Sequence, residues 1–187
     1  MMLPPTPSQT IGPFYGFALP FPGGAELAPP GDPASLIVHG YVHDGAGDPV
    51  PDALLEFWQA APDGSRTGAP GSLRRDQATG AVLGRDGVAF TGFGRVAVDA
   101  DGHYALRTLP PGGLPYISVC VFARGLLHHL YTRVYLSDPG DDPLLASLEP
   151  KRRATLLAVP EREGVYRFDI RLQGDGTHEE TVFLDFR

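Results

Sequence analysis

Along most of the chain apolar residues recur at every second position, in short runs broken by Asp, Gly and Pro. That period belongs to strands with one buried face. The pattern predicts strands over Leu36–His43 and Ala53–Ala60, expected to be antiparallel neighbours because turn residues separate them. Arg95–Val98 and His103–Leu109 flank "DADG" and read as a second antiparallel pair, with Tyr104, Leu106 and Thr108 on one face. Tyr116–Phe122 and His129–Leu136 follow, joined by "ARGLLHH". "ATLLAV", "YRFDIRLQG" and "TVFLDF" return to strand character, and in the middle one Tyr166, Phe168, Ile170 and Leu172 share a side.

Helical period is nearly absent. "DDPLLASLEP" allows one short helix, begun at Asp141 or Asp142 and ended by Pro150. Residues Pro62–Ala89 show neither period and read as a long surface loop. Many short strands with spaced turns imply an all-β fold, an antiparallel sandwich or barrel with long loops. Residues 1–32 hold eight prolines, with rings at Phe14, Tyr15, Phe17 and Phe21. Such rings need cover, so this extended N-terminal arm is expected to lie on its own domain or on a partner. Residues 33–187 form the single sandwich domain.

Composition narrows the function. The 24 Gly and 20 Pro suit loops between strands. A formal charge of -7 with scattered basic residues leaves no surface for tracking phosphates, so nucleic acid is not an expected partner. The opening "MMLPPTPSQTIGPF" is no signal peptide, and no apolar run is long enough to span a membrane, so a cytoplasmic location is expected. The lone Cys120 lies in an apolar run and is expected to be a buried thiol. Trp58 is expected in the core.

Candidate chemistry is sparse. Tyr116 and Ser118 share one strand face, where two imidazoles would make a rigid metal-ligand pair, but tyrosine and serine make a poor one. His39 and His43 also share a face but stand about 13 Å apart, too far to bind one ion. The acid pairs Asp141-Asp142 and Glu179-Glu180 read as solvated charge. Arg124, between an apolar strand and Gly125, is read either as a structural ion pair or as an anion contact.

Taken together, "TPSQTIGPF", "LLEFWQA", "FTGFGRVAVDADGHYALRTLPPG", "VCVFARGLLHHLYTRVYL", "RRATLLAV" and "YRFDIRLQGDGTHEETVFLDF" resemble the intradiol ring-cleaving dioxygenases over nearly the whole chain. The resemblance implies a β-sandwich of the alpha type in a two-chain enzyme that forms symmetric alpha-beta oligomers. Its beta chain would hold a non-haem Fe(III) through two tyrosines and two histidines. The activity implied is cleavage of protocatechuate by O₂ to 3-carboxy-cis,cis-muconate, between the two hydroxyl-bearing carbons.

The family's His-x-His matches Tyr116-Ile117-Ser118 here, and its first tyrosine ligand matches Arg66. For its second tyrosine the chain has only "LPPGGLPY". The resemblance therefore implies that this chain holds no iron, and that Arg66, Tyr116 and Ser118 are degenerate ligand positions. It also implies a cavity lining at Thr10, Gly12, Pro13, Phe14 and Tyr15, with Arg124 as the polar group facing a substrate carboxylate. Phe14 stands where the family has tyrosine, and Tyr15 is the neighbour that could supply the missing hydroxyl. The competing reading is a sandwich that serves only assembly or binding.

Overall fold

The computed structural model describes residues 10, 12, 14–66, 73–85 and 87–186. Among these described residues the strands are β1 (Leu36–His43), β2 (Leu54–Trp58), β3 (Leu73–Arg75), β4 (Val82–Arg85), β5 (Phe93–Ala97), β6 (His103–Thr108), β7 (Ile117–Phe122), β8 (Leu130–Val134), β9 (Val159–Arg162), β10 (Val165–Arg167) and β11 (Ile170–Arg171). The short helices among them are α1 (Tyr15–Ala18), α2 (Pro143–Ala146) and α3 (Pro150–Ala154). Among the described residues no helix is long and apolar enough to cross a membrane.

Two sheets face each other. One runs β5-β2-β7-β8, antiparallel throughout. In the other, β1 is central, with β6 antiparallel on one edge and β10 and β11 parallel along the other. β9 pairs antiparallel with β10. The all-β sandwich expected from the sequence is thus present, with a parallel seam along β1.

The alternation of burial explains the layering. Val38 and Val42 from β1 and Leu106 from β6 meet Leu55 and Phe57 from β2 and Ile117 and Val121 from β7, all fully buried in one cluster. Each such side chain contributes about 1.5–3 kcal/mol when removed from water. Tyr104 on β6 lies across β1 at Gly40 and donates its hydroxyl to the Phe168 carbonyl at 2.6 Å, so this buried polar atom is satisfied. A smaller cluster of Tyr135, Leu145, Leu156 and Val182 packs α2 against the sandwich. There Asp142 caps α2 by accepting from the amides of Leu144 and Leu145.

Several expectations are corrected. β1 and β2 are not neighbours but lie in opposite sheets, and so do β5 and β6. Turn chemistry marks where the chain reverses, but a sandwich offers a second sheet to receive the returning strand. The Asp99 carboxylate closes the β5-β6 turn by accepting from the amides of Asp101 and His103. The segment expected to be one long loop carries the β3-β4 hairpin. Pro150 starts α3 instead of ending a helix, in keeping with proline's fit to the first helical position. "ATLLAV" becomes strand only at Val159, and "TVFLDF" makes a single bridge, Leu184 to Tyr131. Trp58, expected in the core, is 53% exposed on the outer face of its sheet.

Within the arm, Phe21, Leu27 and Ala28 are buried against this chain's own domain. The Leu27 amide donates to the Arg107 carbonyl at 2.8 Å, and Glu26 bridges to Arg107.

Candidate functional site

β7 ends at Phe122, and the chain turns through Arg124 and Gly125 at one end of the sandwich. Gly125 takes φ 93°, which lets the backbone swing away while the Arg124 side chain stays out. Arg124 Nε lies 3.1 Å from Asp52 Oδ2. Asp52 belongs to the turn that leads into β2, and its main-chain carbonyl accepts the Tyr15 hydroxyl at 2.6 Å. Tyr15, the first residue of α1, is buried. Burial, then the Asp52 charge, raises its pKa, while the backbone and charge of Arg124 work against them. The phenol therefore stays a neutral donor at ordinary pH.

Three segments distant in sequence are knotted here by Tyr15, Asp52 and Arg124. Two of those residues are candidates from the sequence. Asp52 is not, and the one signal for it was an acidic residue just before an apolar strand, in "PVPDALLEF". The arm continues outward from the knot, where Phe14 is 78% exposed at the start of α1. The Thr10 hydroxyl accepts from the Gly12 amide at 3.0 Å. Pro13 lies outside the described residues. The proton of the Tyr15 hydroxyl is donated to the Asp52 carbonyl.

Of the positions that the resemblance implies are degenerate ligands, Tyr116 and Ser118 lie along the outer face of the β5-β2-β7-β8 sheet. Register alignment lays out two rows across that face. One is Arg95, Glu56, Cys120 and Tyr131, and the other is Phe93, Trp58, Ser118 and Arg133. Glu56 Oε1 accepts from Arg95 Nε at 2.8 Å and from Nη2 at 2.5 Å. A groove of about 530 Å³ runs over Tyr116, Ser118, Trp58, Arg133 and Phe186.

Fe(III) needs anionic oxygens and imidazoles converging on one point. Instead the Arg133 guanidinium lies 4.0 Å over the Tyr116 ring and donates to Tyr135 Oη at 3.2 Å. Ser118, directly across from Arg133, offers only a neutral hydroxyl. Arg66 is exposed in the loop after β2. That loop rests on the approach to Tyr116, since the Gly112 amide donates to the Ala61 carbonyl. A Cβ on Gly112 would sit 2.1 Å from the Pro62 carbonyl oxygen, so only glycine fits. A fixed arginine charge stands where a cation would go, and the groove's Glu56 and His129 are already paired with Arg95 and Tyr131, an arrangement that does not fit Fe(III). Among the described residues no group of three or more His, Cys, Asp or Glu gathers as a metal site.

The thiol of Cys120 is buried as expected, and burial, then the Glu56 charge, pushes its pKa up to about 12. His39 has partners on neighbouring strands. His39 Nδ1 meets His103 Nε2 at 3.2 Å across β1 and β6, and His39 Nε2 meets Glu161 Oε2 at 2.9 Å. These contacts stitch β6, β1 and β9 together on the face away from the core.

Comparison with known proteins accords with this picture. The Dioxygenase family profile matches residues 23–128. The protocatechuate 3,4-dioxygenase alpha chain of Burkholderia cepacia is 38% identical, over 96% of this chain and 96% of that one. The beta chain from the same organism is 31% identical, over 74% of this chain and 64% of its own length. The dioxygenase domain of a dioxygenase carbohydrate-binding fusion from Streptomyces sp. SirexAA-E superposes with TM-score 0.54 at 27% identity, covering 96% of this chain and 100% of that domain. With 38% identity over 96% of both chains and the family profile over residues 23–128, the chain belongs to the intradiol dioxygenases, on the side of the protocatechuate 3,4-dioxygenase alpha chains.

Proposed function

We propose that this chain is the non-iron-binding alpha subunit of a protocatechuate 3,4-dioxygenase, lining the substrate cavity beside a beta chain that holds the non-haem Fe(III). The complex takes protocatechuate and O₂ to 3-carboxy-cis,cis-muconate, a step in aromatic catabolism, in the cytoplasm and as a higher-order alpha-beta oligomer. The observation that supports it most is the knot of Tyr15, Asp52 and Arg124, which joins the arm and the "FARG" turn at one end of the sandwich.

In this reading the arm, from Thr10 to Tyr15, walls the cavity and Arg124 meets the substrate carboxylate. Protocatechuate is anionic and the chain carries -7, so approach needs a local positive group. The Arg124 side chain is 67% exposed and can supply it.

The test uses the co-expressed alpha-beta complex. Arg124→Ala is expected to raise KM for protocatechuate roughly tenfold, the loss of a charge-assisted contact, with most of the effect on KM. An unchanged KM overturns the cavity-lining role. It would favour the purely structural reading, for which the exposed Arg124-Asp52 ion pair is itself the specific support.

A further inference from the structure

We propose that Asp52 is a positioning residue for substrate binding, holding the Arg124 guanidinium by one edge so that its remaining N–H groups face an incoming aromatic carboxylate. The inference rests on the cavity-lining reading of Arg124 given above. Asp52 touches Arg124 through Nε. Among the described residues no second carboxylate pairs with that guanidinium. An arginine presents two usable edges, and an acid on the Nε side leaves the terminal nitrogens free for bidentate recognition.

Three features make Asp52 suited to this. Its backbone is fixed, because its carbonyl accepts from Tyr15, whose ring is buried. It stands two residues before β2, whose residues from Leu54 pair with both neighbouring strands, and the intervening Ala53 carbonyl accepts from the Val98 amide, so the carboxylate projects from a rigid edge. Arg124, in contrast, is long, exposed and followed by Gly125 with φ 93°, so without a tether its head would sample many orientations. The tether lowers the entropy lost when substrate docks. The arm is held at the same residue by a separate contact, the Tyr15 hydroxyl on the Asp52 main-chain carbonyl.

The experiment is a set of variants in the alpha-beta complex, checked for assembly by size-exclusion chromatography. Asp52→Ala removes the carboxylate but keeps the main-chain carbonyl that Tyr15 uses. It is expected to raise KM for protocatechuate about fivefold, in the range of coupling between contacting residues. The inhibition constant of an uncarboxylated catechol should stay within about twofold. Asp52→Glu, which restores a carboxylate, should recover most of the loss. Asp52→Ala combined with Arg124→Ala should be no worse than Arg124→Ala alone.

A KM for Asp52→Ala equal to the parent's, or a double variant whose losses multiply, overturns the proposal. So does an equal weakening of the uncarboxylated catechol, which would mark a merely structural role. Arg124→Lys covers the case in which Asp52→Ala fails to assemble. It keeps the charge but not the two-edged geometry, and a parent-like KM there also overturns orientation as the function of Asp52. If Arg124→Ala itself leaves KM unchanged, the broader reading fails. If Arg124→Ala raises KM and Asp52→Ala does not, only this inference fails.

Discussion

Cys120 and Tyr15 show how burial governs chemistry at single residues. The Cys120 thiol has its pKa pushed up to about 12, first by burial and then by Glu56, against about 8.5 for an unfolded cysteine. The neutral form is favoured by folding, so this contribution to stability is complete below about pH 8.5 and is lost as pH rises toward the folded value. Iodoacetamide at pH 8 is expected to label Cys120 in the folded protein far more slowly than after unfolding in urea. Equal rates would refute the buried assignment. Tyr15→Phe removes the hydroxyl that reaches Asp52 and is expected to cost about 1 kcal/mol in urea unfolding. The site residues were only partly legible at this scale. Arg124 and Tyr15 stood out by their motifs, whereas Asp52 matters through a carboxylate and a carbonyl that meet residues remote in sequence.

At the scale of elements, alternation located β1, β6 and β7 closely, because each has one face in a dry core. It could not say which sheet each strand joined, since β5 and β6 read the same whether they pair or part. Trp58 was misplaced for a related reason. Period 2 puts it on the opposite side from Phe57, and only the three-dimensional stacking shows that the outer side is open. The β3-β4 hairpin was missed because its strands have little apolar alternation to detect.

The contact between β1 and the break separating β10 from β11 gives a sharp test. A Cβ on Gly40 would lie 1.9 Å from the Phe168 carbonyl oxygen, and that backbone cannot simply move, because the Phe168 amide donates to the His39 carbonyl at 2.7 Å. Gly40→Ala is expected to destabilise the fold by about 1–3 kcal/mol, as overpacking does. Thermal unfolding would register this as a lower Tm, and an unaltered Tm would contradict the close approach.

For the whole molecule, the outer face of the β5-β2-β7-β8 sheet is the feature that sets behaviour in solution. Trp58 and Phe186 are 53% and 70% exposed there, and Tyr131 lies between them in the same groove. Rings gathered like this on one open face favour association. The isolated chain is expected to scatter light as self-associated species at micromolar concentration, and Trp58→Asp to reduce that scattering. A monodisperse monomer of the parent chain would argue against it.

The parallel seam of β1 carries a consequence for biogenesis. Ile37 is emitted early by the ribosome, yet its neighbour on that edge is Val165. Until β10 and β11 have been made, the central strand of one sheet has a bare flank of amides and carbonyls, the kind of template that recruits foreign strands. Nascent chains truncated before Val165 should accordingly need holding by chaperones, and the native sandwich should close only once β10 and β11 have left the tunnel.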